Sequence, residues 1–167
     1  MALKARLQPK HPGGVIVKRS SATRIIDTLR FNGTDGFLTA CVTIYGESNI
    51  YDVDLTAEDE PNTGIIVGEA GEPTDLNKDS DSVWGTTGQK LKIMVPVPGD
   101  VFYCTAKVNT AVTYGAAVQA DAGFVENSDW SATPTSANIH PLNIIGQALE
   151  AVTAQSSFTE LIQIMKV

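Results

Sequence analysis

The chain has 167 residues, 43% hydrophobic and 19% charged, with a formal net charge of −7. That length supports a hydrophobic core without metal or disulfide staples, and the balance of apolar to charged residues excludes a disordered chain. No apolar run approaches the ~20 residues of a membrane span, and the start MALKARLQPKHPGG lacks the apolar core of a signal peptide, so synthesis in the cytoplasm and no membrane partner are expected.

The charge is unevenly placed. Through Arg30 there are seven basic residues (Lys4, Arg6, Lys10, Lys18, Arg19, Arg24, Arg30) against Asp27 alone, and the rest of the chain holds five basic residues against eighteen acids. A basic leading segment on an acidic body points to docking on an acidic surface, a neighbouring copy included. The same body repels phosphate and few aromatics accompany the basic segment, so no nucleic-acid partner is expected.

In chain order, residues 1–14 read as an extended N-terminal arm, because Gln8-Pro9-Lys10-His11-Pro12-Gly13-Gly14 combines two prolines with two glycines. Two readings fit it: a disordered terminus, or a tether that orders on a partner. Residues 15–167 read as a single domain. GVIVKRSS, TRIIDTLRFNG and LTACVTIY are strand-like, and Asn32-Gly33 and Asp35-Gly36 are hairpin-type turn signals. Asn32-Gly33-Thr34 also matches a glycosylation acceptor, read here as a turn. From about 56 to 87 a polar excursion carries the densest acids and one apolar run, GIIVGEA, and is expected to be a long surface loop.

The second half is more regular. KLKIMVPV, DVFYCTAKV, AAVQA and GFVENS read as strands with tight turns between them. Pro98 has a fixed φ and Gly99 is free to take φ > 0, so Pro98-Gly99-Asp100 reads as hairpin geometry, as does Asp121-Ala122-Gly123. Ile144, Ile145, Ala148, Leu149 and Val152 also fit a helical stripe. A hairpin of NIIGQALEAV with FTELIQIMKV is favoured, because the last segment is β-rich. The fold class is mainly β, a single β-barrel or sandwich domain with an extended N-terminal arm.

Reactive constellations are scarce. The two histidines are His11 in the arm and His140 before a proline, with no G-x-S-x-G elbow and no phosphate-binding Gly loop. Glu58-Asp59-Glu60 reads as a solvated loop. Asp75, Asn77, Asp79 and Asp81 alternate like the start of a calcium loop, but Ser80 and Thr86 stand where an EF-hand needs Gly and Glu. Cys41 and Cys104 lie in apolar strand-like runs and read as buried, reduced thiols, too far apart in sequence for a metal-ligand pair. The ending IMKV has the look of a biotinyl-carrier lysine motif, but Lys166 is penultimate and leaves no room for a returning strand. No enzyme activity, cofactor or metal site is expected. Trp84 and Trp130 fall in polar segments and read as covers for the ends of the core.

The stretch VPGDVFYCTAKVNTAVTYGAAVQADAGFV, followed by NIIGQALEAVTAQSSFTELIQIMKV, resembles the small β-barrel capsid decoration, or cement, proteins of tailed bacteriophages. The shared shape, over Val95 to Val167, is a strand, a Gly-Asp turn, a strand, YGAAVQADAGFV as paired short strands, then IIGQALEA and a final strand. The resemblance implies a structural virion protein on the capsid exterior, made in the host cytoplasm and partnered by the major capsid protein. It also implies self-association into homotrimers at threefold positions. The interface residues this reading expects are Lys4, Arg6, Lys10, Lys18 and Arg19, the arm lying over a neighbouring subunit. The alternative is a virion β-domain that binds surface carbohydrate or another receptor, with Trp84 or Trp130 exposed beside polar groups.

Overall fold

The computed structural model describes residues 5–6, 15–33, 36–45, 52–58, 60–69, 87–128, 143–154 and 159–167. Among them the chain is all β, without a helix. Five strands close a barrel: β3 (Arg24–Phe31), β4 (Cys41–Tyr45), β5 (Asp52–Leu55), β6 (Gly64–Glu69) and β7 (Lys90–Val95), in the order β3-β5-β4-β6-β7. Closure hides every barrel edge.

The remaining strands form a second sheet. They are β1 (Ala5–Arg6), β2 (Ile16–Lys18), β8 (Val101–Thr105), β9 (Ala117–Asp121), β10 (Phe124–Asn127), β11 (Ile144–Ala148) and β12 (Thr159–Met165). Their order is β10-β9-β11-β12-β8-β2, and β1 pairs in parallel with the start of β12. Two residues of the arm therefore belong to a sheet.

Side-chain alternation assigns the two faces. In β6, Ile66 points into the barrel with Leu29, Phe31, Val42, Val53, Leu91 and Ile93, while Ile65 and Val67 point the other way. There they join Cys41 and Met94 against Phe102, Cys104, Ile162 and Ile164 of the sheet, all buried. One apolar cluster thus joins barrel to sheet, as expected of strands with two buried faces.

Three expectations need correction. The signals at Asn32-Gly33 and Asp35-Gly36 do not join β3 and β4 as a hairpin, because β3 pairs with β5 and β7 and not with β4; Asp35 itself lies outside the described residues. Barrel closure requires the chain to cross over there, and Phe37 stacks on Phe124 of the sheet, ring centroids 4.5 Å apart. Gly33 instead allows a close approach: a Cβ would sit 2.7 Å from the Phe31 ring.

The Pro98-Gly99 turn is real, with Gly99 at φ 91° and Asp100 N donating to Val97 O at 3.0 Å. It nevertheless links β7 of the barrel to β8 of the sheet, so it is a joint between layers rather than a hairpin. The run GIIVGEA, placed in a surface excursion, supplies the core barrel strand β6, because Ile65, Ile66 and Val67 bury on both faces. Residues 70–86 lie outside the described residues.

Other expectations hold. Ala122 (φ 49°) and Gly123 (φ 83°) form a two-residue turn between β9 and β10, with Asp121 opposite Phe124. The ambiguous segment is strand, since β11 pairs antiparallel with β12 through Gln147 opposite Met165 and Ala148 opposite Ile164. Cys41 and Cys104 are buried and free.

Candidate interaction surface

The joint between barrel and sheet is organised by one carboxylate. Asp100 is fully buried. Its Oδ1 accepts from Ser20 N at 2.8 Å, and its Oδ2 accepts from Thr23 Oγ1 at 2.6 Å and Val97 N at 2.9 Å. The backbone closes the same knot: Lys166 N donates to Asp100 O and Gly99 N to Lys166 O, both at 2.8 Å. A buried carboxylate persists where donors converge on it.

Asp100 thereby fixes the turn between β2 and β3, and that turn carries cations at both ends. Lys18 ends the edge strand β2, Arg19 follows it, and Arg24 opens β3; all three are exposed. Along β3, roughly 20 Å away at ~3.3 Å per residue, Arg30 stands directly opposite Lys90 of β7. The neighbouring pair Leu29 and Leu91 points into the barrel core, so Arg30 and Lys90 point outward. Like charges in register repel each other unless acids lie near. Arg30 and Lys92 hold interactions of their own, whereas Lys90 is exposed. Asp27, exposed at a bulge in β3, adds one carboxylate to this track.

The expected interface residues divide accordingly. Lys18 and Arg19 sit at this joint. Arg6 lies in β1, its backbone opposite Glu160 of β12. Lys4 and Lys10 lie outside the described residues, as do His11, His140, Trp84, Trp130 and the Asp75–Asp81 stretch. Sequence reasoning missed Arg24 and Lys90. The signal for Arg24 was the charge run continuing into TRIIDTLRFNG; for Lys90 there was none before the β3–β7 register was known.

Two further lysines behave differently. Lys107 bridges Asp121 and, at 3.0 Å, Glu126; the Asp121 hydrogen bond is the main influence raising its pKa well above the ordinary value, and the Glu126 pair adds to it. It is half-exposed and already neutralised, so it adds little either to stability or to an acidic partner. Lys166 is pushed below its ordinary value of 10.5 by burial, a shift partly opposed by Cys41. In the window below 10.5 the unfolded chain therefore holds more protons at this site than the native chain, and stability rises with pH there. Lys166→Met is expected to melt slightly higher than the parent at pH 7–8, the gap closing as pH approaches 10.5. Thermal melts across that range check it.

No group of three or more His, Cys, Asp or Glu side chains gathers to hold a metal among the described residues. Among the described residues the fold is a β-barrel joined to a β-sheet, and the exposed cations Lys18, Arg19, Arg24 and Lys90 are set on strand ends and turns. No protein-family model matches the chain, and no curated protein does. Among solved structures it is similar to the N base of the head fiber gp8.5 of bacteriophage phi29, with a TM-score of 0.48, 10% identity, and coverage of 87% of this chain and 93% of that one.

Proposed function

We propose that the chain is a structural protein of a phage virion that binds the outside of an icosahedral capsid and stabilises it by bridging capsid subunits. The observation that carries this reading is the placement of exposed Lys18, Arg19, Arg24 and Lys90 on a hydrogen-bonded β framework. The sequence resemblance over Val95 to Val167 supports it. The segment with the resemblance supplies β8 to β12, most of the second sheet.

In this mechanism the second sheet and the barrel form the body, and the basic joint meets acids on the capsid subunits. Lys4, Arg6 and Lys10 extend the contact onto a neighbour. Individual rim charges contribute little affinity and mainly steer docking, so occupancy comes from many copies acting together on the shell. Self-association, expected as a trimer, places several basic joints around one symmetry axis. No catalytic step is involved.

Two measurements test the proposal together: the mass of the purified chain by light scattering, and its co-sedimentation with matching undecorated capsids. A trimer mass and saturable binding that weakens with added salt are expected. A chain that stays monomeric and leaves the capsids bare overturns the proposal.

A further inference from the structure

Cys41 opens β4 of the barrel, and Cys104 lies in β8 of the sheet. Sixty-three positions apart in sequence, their sulfurs stand 4.0 Å apart with both residues fully buried. They belong to the cluster that joins the two layers, with Ile65, Val67 and Met94 from the barrel side. The flanking segments are tied beside them: the buried hydroxyls of Thr39 and Thr105 hydrogen-bond to each other. Thr39 has φ 76°, rare for a β-branched residue, and its N donates to Ile66 O at 2.9 Å. The thiols therefore face each other across a fixed seam.

We propose that Cys41 and Cys104 are an oxidative cross-linking site, which a two-electron thiol oxidant converts into a disulfide stapling barrel to sheet. A disulfide needs its sulfurs at about 2.05 Å, so they must close by roughly 2 Å, through χ1 rotation and a small shift of the seam. In a reducing compartment the pair stays open, and in an oxidising one it closes. Burial, the largest influence, holds the Cys104 thiol well above its ordinary value. It is therefore protonated at neutral pH, and reaction waits on local opening of the seam.

With diamide as oxidant the step balances. One sulfur adds to the N=N bond, its proton going to the other nitrogen. The second sulfur then attacks the first, the S–N bond breaks, and the released nitrogen takes the second proton. Two S–H bonds are lost, one S–S bond forms, and the azo compound leaves as the hydrazine. The site stands independently of the virion proposal.

The test treats the purified full-length chain with diamide at temperatures rising toward its Tm, then unfolds it and alkylates free thiols. Expected are no alkylatable thiol, a monomer lighter by two hydrogens, a Cys41–Cys104 cross-linked peptide, and a Tm higher by about 10 °C that dithiothreitol reverses. Cys104→Ala should show no oxidant-dependent gain in Tm. If that variant folds poorly, the parent chain alone decides the matter. Two thiols still alkylatable after prolonged treatment overturn the proposal. So does a bond formed only between molecules, or a cross-linked chain that melts no higher.

Discussion

Asp100→Ala is expected to destabilise the chain by about 3 kcal/mol, lowering Tm by roughly 10 °C at this size. The carboxylate accepts from Ser20 N, Thr23 Oγ1 and Val97 N, and the alanine leaves all three donors without it. Water reaches some of them, because Ser20 is exposed, and that keeps the cost below what a wholly buried network would impose. Asp100→Asn keeps one acceptor oxygen and turns an amide N–H₂ toward remaining donors, so it should fall between parent and alanine. The local consequence is separable from the global one. Amide exchange at Ser20 and Val97 should accelerate in Asp100→Asn while the β11–β12 amides stay protected. Denaturant titration and exchange read both. A loss under about 1 kcal/mol in the alanine variant would mean that the joint is held by its backbone bonds alone.

Gly146→Ala is expected to be at least as damaging, about 3–5 kcal/mol. A Cβ on Gly146 would overlap the carbonyl oxygen of Met165 and lie 2.9 Å from Ile164 Cγ2. The obstruction is backbone of the paired strand, so no side chain can swing away. Gly146 lies opposite Val118 at an irregularity in the β11–β9 ladder, and its neighbour Gln147 pairs with Met165. To fit a methyl group, β11 would have to part from β12 and loosen the middle of the sheet. Gly115→Ala provides the comparison. Gly115 has φ 78°, but the nearest atom to a Cβ there is Gln147 Nε2 at 3.9 Å, so only backbone strain of about 1 kcal/mol is expected. Thermal melts of the two variants should differ by several degrees, and equal melts would contradict the close approach.

The strands were largely legible, and their partition into barrel and sheet was not. Runs such as KLKIMVPV and DVFYCTAKV announce themselves through β-branched and aromatic residues, and the Ala122-Gly123 turn through its glycine. Which strand pairs with which depends on contacts between distant residues. The parallel β3–β5 pair leaves no local trace, so Asn32-Gly33 looks locally like a hairpin turn although β3 and β4 do not pair. Asp100 shows the same limit. Its place in a Pro-Gly-Asp turn was readable, but its donors Ser20 and Thr23 lie 80 and 77 positions away. Of the interaction surface, Lys18 and Arg19 could be taken from the charge run. Lys90 joins only through the ladder that sets it opposite Arg30. The thiol pair was likewise visible as two buried cysteines but not as a contact, since nothing in the two runs reports that β4 and β8 face each other.

The proposed docking of the chain onto an acidic shell through exposed cations on its β body is tested most directly by quantitative co-sedimentation with undecorated capsids. The parent chain is compared with one variant carrying Lys18→Glu, Arg19→Glu, Arg24→Glu and Lys90→Glu, and a second carrying Lys4→Gln, Arg6→Gln and Lys10→Gln. Melting no lower than that of the parent is expected for both, since Lys90→Glu removes the like-charge pair with Arg30, together with a roughly 100-fold or greater loss of capsid affinity for the first and a smaller loss for the second. Capsid binding by the charge-reversed chain equal to that of the parent would contradict the proposed docking.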